Sequence, residues 1–341
     1  MSEIPLSEKS MPLKVGGRFE NPWSTWTGLA SPWQVIKWQC MRKDRNTKEE
    51  LNEQLPVQKP DWKSTPESGI IATWLGHASV LVQIDGFTVL TDPIFSPRCS
   101  PVTFAGPVRL RPPPCTFEDL PKVDAVVISH NHYDHLDFSA VRHLHERFGE
   151  DLRFFVPIGL RGWFTKSGIS NVTELNWWES SVLHSKPDDQ GNERSLEMVC
   201  VPAQHWSIRN GFDRNTCLWG GWVVIGKRHR FYFAGDTGYC PEFKNIGAHY
   251  GPFDLSLIPI GCYTPRSLMC PQHVNPADAV MIHQDVQSKY SLGIHWGTYD
   301  MGSTEAPLAP KYDLLKEIEQ AGISASSFFT LTHGQSWQLP E

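Results

Sequence analysis

The segment His130-Asn131-His132-Tyr133-Asp134-His135 constrains this chain more than any other. It puts three imidazoles and a carboxylate within six residues. It also follows directly on Val123-Asp124-Ala125-Val126-Val127-Ile128-Ser129, an apolar run that reads as a buried strand. A fold that accepts this segment must let the chain leave a sheet where polar side chains can converge. In extended chain alternate residues share a face, so His130 and His132 can reach one metal, while Asp134 and His135, past the turn, can face a second. A lone histidine is usually a hydrogen-bonded core or surface residue; three beside an aspartate make a metal site the better reading. Imidazole and carboxylate suit zinc, manganese or iron, and the preponderance of imidazole favours zinc.

Two metals need more ligands than this segment supplies. His205 follows Met198-Val199-Cys200-Val201-Pro202, Asp236 follows Phe231-Tyr232-Phe233-Ala234-Gly235, and His295 follows Ser291-Leu292-Gly293-Ile294. Each is a polar residue at the exit of an apolar run, where loops carry function on a rigid scaffold. Taken alone, Asp236 could equally be a turn residue. His77 in Gly76-His77-Ala78-Ser79 and Asp92 in Thr91-Asp92-Pro93 flank expected strands and read as partners that orient metal-bound histidines. His143 and His145, two apart on an expected helix, do not face each other and read as solvated. His184, His229, His249 and His283 stand in polar surroundings and read as exposed, and His333, just beyond a late strand, reads as structural.

From Ile70 the chain consists of short apolar runs broken by Gly, Pro and Asp. Three strands are expected in quick succession over 71–75, 79–84 and 87–91, with Asp85-Gly86 as a hairpin signal. Others are expected over 153–157, 197–202, 222–226, 230–234, 255–259, 292–294 and 328–331. One helix spans 138–148, and another opens at Asn275-Pro276 with the apolar face Ala279, Ile282 and Val286. Strands dominate early and βα alternation comes later, which predicts an α+β fold of stacked sheets with helices outside. Residues 1–68, rich in Pro, Trp and charge, read as an arm without strands lying on a hydrolase domain over 69–341. The arm should hold one short helix, capped by Ser31, with Pro32 at its first position, ending at the charged run Arg42-Lys43-Asp44-Arg45. Trp33, Ile36 and Lys37 on that helix suit the headgroup level of a membrane, although packing of the arm's tryptophans onto the domain accounts for them at least as well.

A net charge of -6 argues against a broad grip on nucleic acid. The opening Met-Ser-Glu-Ile-Pro-Leu-Ser lacks the basic start and apolar core of a secretory signal, and no eighteen apolar residues run uninterrupted. An intracellular protein is expected, cytosolic or peripheral on endomembranes. The eight cysteines include no C-x-x-C pair and read as reduced thiols.

The His-x-His-x-Asp-His motif, followed in order by His205, Asp236 and His295, resembles the metallo-β-lactamase superfamily. That resemblance implies an αββα sandwich, two stacked mixed sheets flanked by helices. A closer resemblance is to the family of N-acyl-phosphatidylethanolamine-hydrolysing phospholipases D. It is carried by Gly17-Arg18-Phe19-Glu20-Asn21-Pro22-Trp23, Thr73-Trp74-Leu75-Gly76-His77-Ala78, Leu90-Thr91-Asp92-Pro93-Ile94-Phe95-Ser96, the metal segment itself, Phe233-Ala234-Gly235-Asp236-Thr237-Gly238 and Ile294-His295-Trp296-Gly297-Thr298, and covers nearly the whole chain from Gly17 onward. It implies a peripheral, often dimeric enzyme that hydrolyses N-acyl-phosphatidylethanolamine to N-acylethanolamine and phosphatidic acid at a membrane surface.

By matching motif positions, the resemblance implies two zinc ions per chain: His130, His132 and His205 holding one, Asp134, His135 and His295 the other, with Asp236 bridging. Tyr133, Gln272 and His273 would contact substrate, and Asp134, Asp236 and His273 would serve catalysis. Two close metals acidify a shared water and clamp phosphoryl oxygens, and their charge draws in an anionic lipid even when the protein is acidic overall. Ile208 stands where vertebrate members carry a basic residue near a bile-acid site, so the resemblance does not carry bile-acid regulation over to this chain. A metal site does not by itself choose a substrate. The alternatives are a soluble metal-dependent lactonase or phosphodiesterase of the same superfamily, and a non-catalytic metal or lipid binder, which would usually lack a ligand.

Overall fold

Between Ile70 and Thr91 the side chains sort with period two. Ile70, Ala72, Trp74, Val80, Val82, Ile84 and Val89 enter one apolar cluster, while Leu75, Leu81 and Leu90 enter another, as strands buried on both faces must. The computed structural model describes residues 9–41, 45–102, 104–187, 191 and 193–340 and forms two seven-stranded sheets around this pattern. The opening residues read for a secretory signal, and Arg42-Lys43-Asp44 beyond the arm's helix, lie outside the described residues.

A small hairpin, β1 (Leu13–Val15) and β2 (Arg18–Glu20), comes first. The first sheet then runs β3 (Ile70–Gly76), β4 (Ser79–Ile84), β5 (Phe87–Thr91), β6 (Ala125–Val127), β7 (Arg153–Pro157) and β8 (Val172–Leu175), antiparallel to β5 and parallel thereafter. The second runs β9 (Ser180–His184), β10 (Ser195–Val201), β11 (Gly221–Ile225), β12 (Arg230–Phe233), β13 (Leu255–Pro259), β14 (Ser291–Ile294) and β15 (Phe328–Phe329), antiparallel to β12 and parallel beyond it. The last strand, β16 (Ser336–Gln338), returns to pair with β3. Both sheets are mixed, as expected.

Between the sheets Trp74, Val82 and Phe155 meet Met198, Trp222 and Phe231. Trp222 lies edge-on to Phe155 with ring centroids 6.3 Å apart and donates its indole N–H to the carbonyl of Ile128 at 2.9 Å, tying the second sheet to the strand that leads into the metal segment. Outside the first sheet, Val141 and Leu144 of the helix Phe138–Phe148 and Phe164 of the helix Arg161–Lys166 cover Leu81, Val126 and Phe154. The helices Glu242–Tyr250, Pro276–Asp285 and Ala309–Gln320 pack together over β13 on the other side. Helices thus sit outside both sheets, an α+β sandwich.

The arm departs from expectation. It contains the β1–β2 hairpin, turned on Gly16-Gly17 with φ of +57° and +82°, a pair suited to a two-residue turn. It also contains two helices, Pro32–Gln39 and Lys48–Gln54, closed by capping boxes Ser31 with Gln34 and Thr47 with Glu50. Three-residue strands are too short for an alternation to stand out, and Leu51 is the single buried side chain described in the second helix, so neither element left a periodic mark.

The fold brings the carboxyl ends of β3, β5, β6, β10, β12 and β14 to one edge of the sandwich. His77, Asp92, His130 to His135, His205, Asp236 and His295 follow those ends.

Candidate metal centre

After β6 the chain turns tightly. The amides of His135 and Leu136 both donate to the carbonyl of His132, at 3.1 and 2.9 Å, and Asp137 caps the following helix through Ser139 N while also accepting from Phe95 N and Ser96 N. The metal segment is therefore clamped between a buried strand and a capped helix, and its side chains face the sheet edge.

Hydrogen bonds at the outer nitrogens set the histidine tautomers. The Ser129 hydroxyl donates to Asp92 at 2.5 Å, so His130 Nδ1, 2.8 Å from that oxygen, is the donor to it. His135 Nδ1 donates to Asp92 Oδ2 at 2.6 Å, and His205 Nδ1 donates to the carbonyl of Gln272 at 3.0 Å. All three rings then turn a lone pair at Nε2 inward. Asp92 is the shared anchor for two of them, the orienting role expected of it.

Inward, two groups form. His130 Nε2 lies 2.8 Å from His132 Nδ1, which is 3.3 Å from His205 Nε2, and ligating atoms of these three residues all fall within 4.8 Å of one another. Asp134 Oδ2 lies 3.1 Å from His135 Nε2 and 3.5 Å from His295 Nε2, and His77 joins this group at 2.9 Å from the same oxygen. Asp236 stands between them, 3.2 Å from His135, 3.1 Å from His295 and 3.9 Å from His205.

Inward lone pairs this close to each other and to carboxylates repel unless positive charge lies among them. His135 Nε2, His295 Nε2 and Asp236 Oδ1 are buried and take no hydrogen bond. The donor set therefore fits divalent metal, and its mixture of imidazole and carboxylate suits zinc. The electrostatics agree. Burial would raise Asp236, but His135 and His295 hold it well below the usual carboxylate range; burial would lower His135, but Asp236 and Asp134 hold it well above the usual histidine range. Burial and neighbouring imidazoles push His130 and His205 down, and burial takes His132 to about 4. The cluster is poised between two carboxylates that demand cationic charge and imidazoles that cannot all carry it.

Three non-glycine residues here hold left-handed backbone: His77 at φ +54°, Asp92 at +31° and His295 at +62°. Such conformations cost about 1–3 kcal/mol each and concentrate at functional sites. They persist because their surroundings hold them. His295 N and Trp74 Nε1 both donate to the carbonyl of His77 at 2.9 Å, and His77 N donates to the Thr298 hydroxyl at 2.6 Å. His333 completes that support as a buried ring tilted against Trp74, 3.0 Å from the same hydroxyl.

The residues expected to meet substrate line the same edge. His273 Nδ1 is buried without a hydrogen bond, 3.8 Å from Asp236 Oδ2. Tyr133 donates its hydroxyl to the carbonyl of Arg209, whose guanidinium lies 4.2 Å from the tyrosine ring and 5.1 Å from that of Trp163. Gln272 reaches the site through its backbone; its side chain accepts from Trp206 Nε1 at 2.6 Å, and Trp206 stands edge-on to His132 with ring centroids 4.5 Å apart. Trp206, Arg209 and Ser129 escaped the sequence reading, since their part lies in contacts that no spacing announces. His283 is corrected: it is buried, bonded to Ser291 at 2.8 Å and stacked on Phe328, because its helix turns it toward β14 and β15. His229 is half-buried against Asp85 rather than free.

A family model described as a Beta-lactamase superfamily domain matches residues 88–296. The chain is 44% identical over 351 residues to "N-acyl-phosphatidylethanolamine-hydrolyzing phospholipase D 1" of Caenorhabditis elegans, covering 98% of this chain and 96% of that protein. It is 29% identical over 357 residues to "N-acyl-phosphatidylethanolamine-hydrolyzing phospholipase D, mitochondrial" of Saccharomyces cerevisiae, covering 92% and 74%. Among solved structures, the metallo hydrolase Igni18 of Ignicoccus hospitalis superposes with a TM-score of 0.56 at 22% identity, covering 80% of this chain and all of that one, a likeness of fold.

Proposed function

The chain belongs to the family of N-acyl-phosphatidylethanolamine-hydrolysing phospholipases D, within the β-lactamase superfamily, and from that membership we propose that it hydrolyses N-acyl-phosphatidylethanolamine to N-acylethanolamine and phosphatidic acid with two zinc ions. One observation carries the two-metal part: a cluster of His130, His132 and His205 and a cluster of Asp134, His135 and His295 face each other across Asp236. In this reading Asp236 is shared between the metals. His77 acts on Asp134 from behind, and Asp92 on His135 and, through Ser129, on His130.

Divalent metal there supplies Lewis acidity, which activates water and neutralises charge on the phosphoryl oxygens. The chain's own groups do the rest. Burial pushes His273 down to about 4, so its ring is neutral there, and from 3.8 Å beside Asp236 it can relay the proton released by the attacking water to the departing N-acylethanolamine oxygen. Tyr133, at the rim, can turn its hydroxyl from the Arg209 carbonyl to a phosphoryl oxygen. The Arg209 guanidinium beside it adds positive charge at the entrance for an anionic diester.

The lipid is met at a surface. Among the described residues no helix is long and apolar enough to cross a membrane. Trp33 and Ile36, 79% and 50% exposed and one turn apart on the helix Pro32–Gln39, offer an apolar edge of the kind that seats at headgroup level. We take the enzyme to be peripheral on internal membranes and able to pair as a homodimer.

The deciding experiment is mass spectrometry of products formed by the zinc-loaded protein on vesicles of mixed N-acylated and ordinary phosphatidylethanolamine, with flotation of the same vesicles. N-acylethanolamine and phosphatidic acid in equal amounts are expected, with weaker flotation of a Trp33→Ala/Ile36→Ala variant. Release of free fatty acid, or turnover confined to soluble lactones or cyclic phosphates, would overturn the assignment.

A further inference from the structure

His205 opens a long loop that also carries Trp206 and Arg209, and a segment nearly two hundred residues earlier lies against that loop. The Arg18 guanidinium donates to the carbonyls of Phe212 and Arg214. Phe19 and Asn215 exchange bonds, Phe19 N to Asn215 O at 2.7 Å and Asn215 Nδ2 to Phe19 O at 3.0 Å, while Asn215 bonds in turn to both backbone groups of Ser207. Asn21, 8% exposed, donates its amide to the carbonyl of His205 at 2.8 Å. Thr25 donates to the Gln204 side chain, whose amide donates to the carbonyl of Pro271 at 2.9 Å. Through its backbone Gln204 is joined to Thr237 and Gly238, both at 2.8 Å.

Three loops meet at this node: the one bearing His205, the one bearing Asp236 and the one bearing His273. We propose that residues 18–25 are a positioning strap, in which Asn21 and Thr25 fix where His205 stands relative to Asp236 and His273. The inference rests on the metal reading above and extends it to residues that touch neither metal nor substrate.

The physical reasoning is direct. A ligand's backbone must be held to a few tenths of an ångström if its ring nitrogen is to complete a closed coordination set. His205 Nδ1 is fixed by Gln272 O, which sets the ring's tautomer and direction, but not the height of its Cα. Asn21 supplies that second restraint from the carbonyl side. Its bond is sequestered from water, so removing the donor leaves the His205 carbonyl buried and unpaired. If the strap served stability only, burying Phe19 and stacking Trp23 on Trp177 at 5.4 Å, its loss would loosen the whole domain without singling out a metal.

The test uses the full chain loaded with zinc. Metal content and the rate of zinc loss to a chelator are compared, with thermal stability alongside, for wild type, Asn21→Ala, Thr25→Val and Ser10→Ala. Ser10 bonds Glu242 at 2.6 Å, well along the same strand of chain from the His205 loop, and serves as the control. Loss of one of the two zinc ions about 10-fold faster or more in Asn21→Ala is expected, the scale of changes behind a metal ligand. A smaller acceleration is expected in Thr25→Val and none in Ser10→Ala. Wild-type release from Asn21→Ala, whatever its melting temperature, would overturn the strap. Should Asn21→Ala fail to fold, Thr25→Val decides by the same measure. A wild-type protein that retains no zinc would overturn the metal reading itself, whereas two retained ions with unchanged release in both variants would overturn the strap alone.

Discussion

At the scale of single residues, the centre is organised by what each ring does on its far side. Asp92 shows this most clearly: one carboxylate fixes His135 directly and His130 through the Ser129 hydroxyl, with all members buried. Asp92→Asn keeps the shape but offers an amide where the imidazole needs an acceptor. We expect metal affinity to fall about 10–100-fold, read by chelator competition, with the fold retained by circular dichroism. The six-residue metal segment was legible because its chemistry is packed into local spacing, and Asp92 because it closes a strand. Ser129, Trp206 and Arg209 were not, since each takes its part in the centre through a partner 37 to 78 positions away.

Among the elements, the turn between β4 and β5 carries weight at the end of the sandwich far from the metals. Asp85 holds left-handed backbone at φ +44° and accepts from Arg228 N at 2.7 Å, His229 N at 3.0 Å and Gly69 N at 3.2 Å, with His229 Nδ1 at 2.7 Å. One side chain thus joins a turn of the first sheet to the β11–β12 turn of the second. Burial would raise this carboxyl, but the bonds from His229, Arg228 and Gly69 outweigh it and hold the group below its ordinary value. A depressed carboxyl stabilises the fold above its unfolded value near pH 4 and ceases to do so as pH falls through its folded value. Asp85→Asn, which tolerates the same backbone, should therefore cost about 1–2 kcal/mol at pH 7. The cost should shrink as pH falls below 4 through the folded value, as followed by denaturant titration at pH 7 and at successively lower pH. Asp85-Gly86 was readable as a turn from the dipeptide. That the turn also clamps a second sheet was not, because the partners lie 143 and 144 residues on.

Over the whole molecule, the candidate ligands divide between the sheets: His130, His132, Asp134 and His135 follow β6 of the first, and His205, Asp236 and His295 follow β10, β12 and β14 of the second. Metal would act as a rivet across the sandwich. Stripping it should lower stability by about 3–4 kcal/mol for each ion relative to protein held at 100 to 1,000 times the dissociation constant. Thermal unfolding with chelator, then with zinc restored, measures this, and an unchanged midpoint would count against a metal shared by both sheets. The layered architecture was legible from strand texture only as stacked sheets; β8 and β9 were missed because their mixed, partly exposed residues lack the apolar run that marked their neighbours. The strap has a consequence in time rather than space. Asn21 and His205 are 184 positions apart, and a ribosome adding about 5–20 residues per second delivers the second roughly 10–40 s after the first. Throughout that interval Phe19 lacks the Asn215 loop that receives it, so every newly made molecule passes through a stage in which part of an aromatic segment waits for its seat to be synthesised.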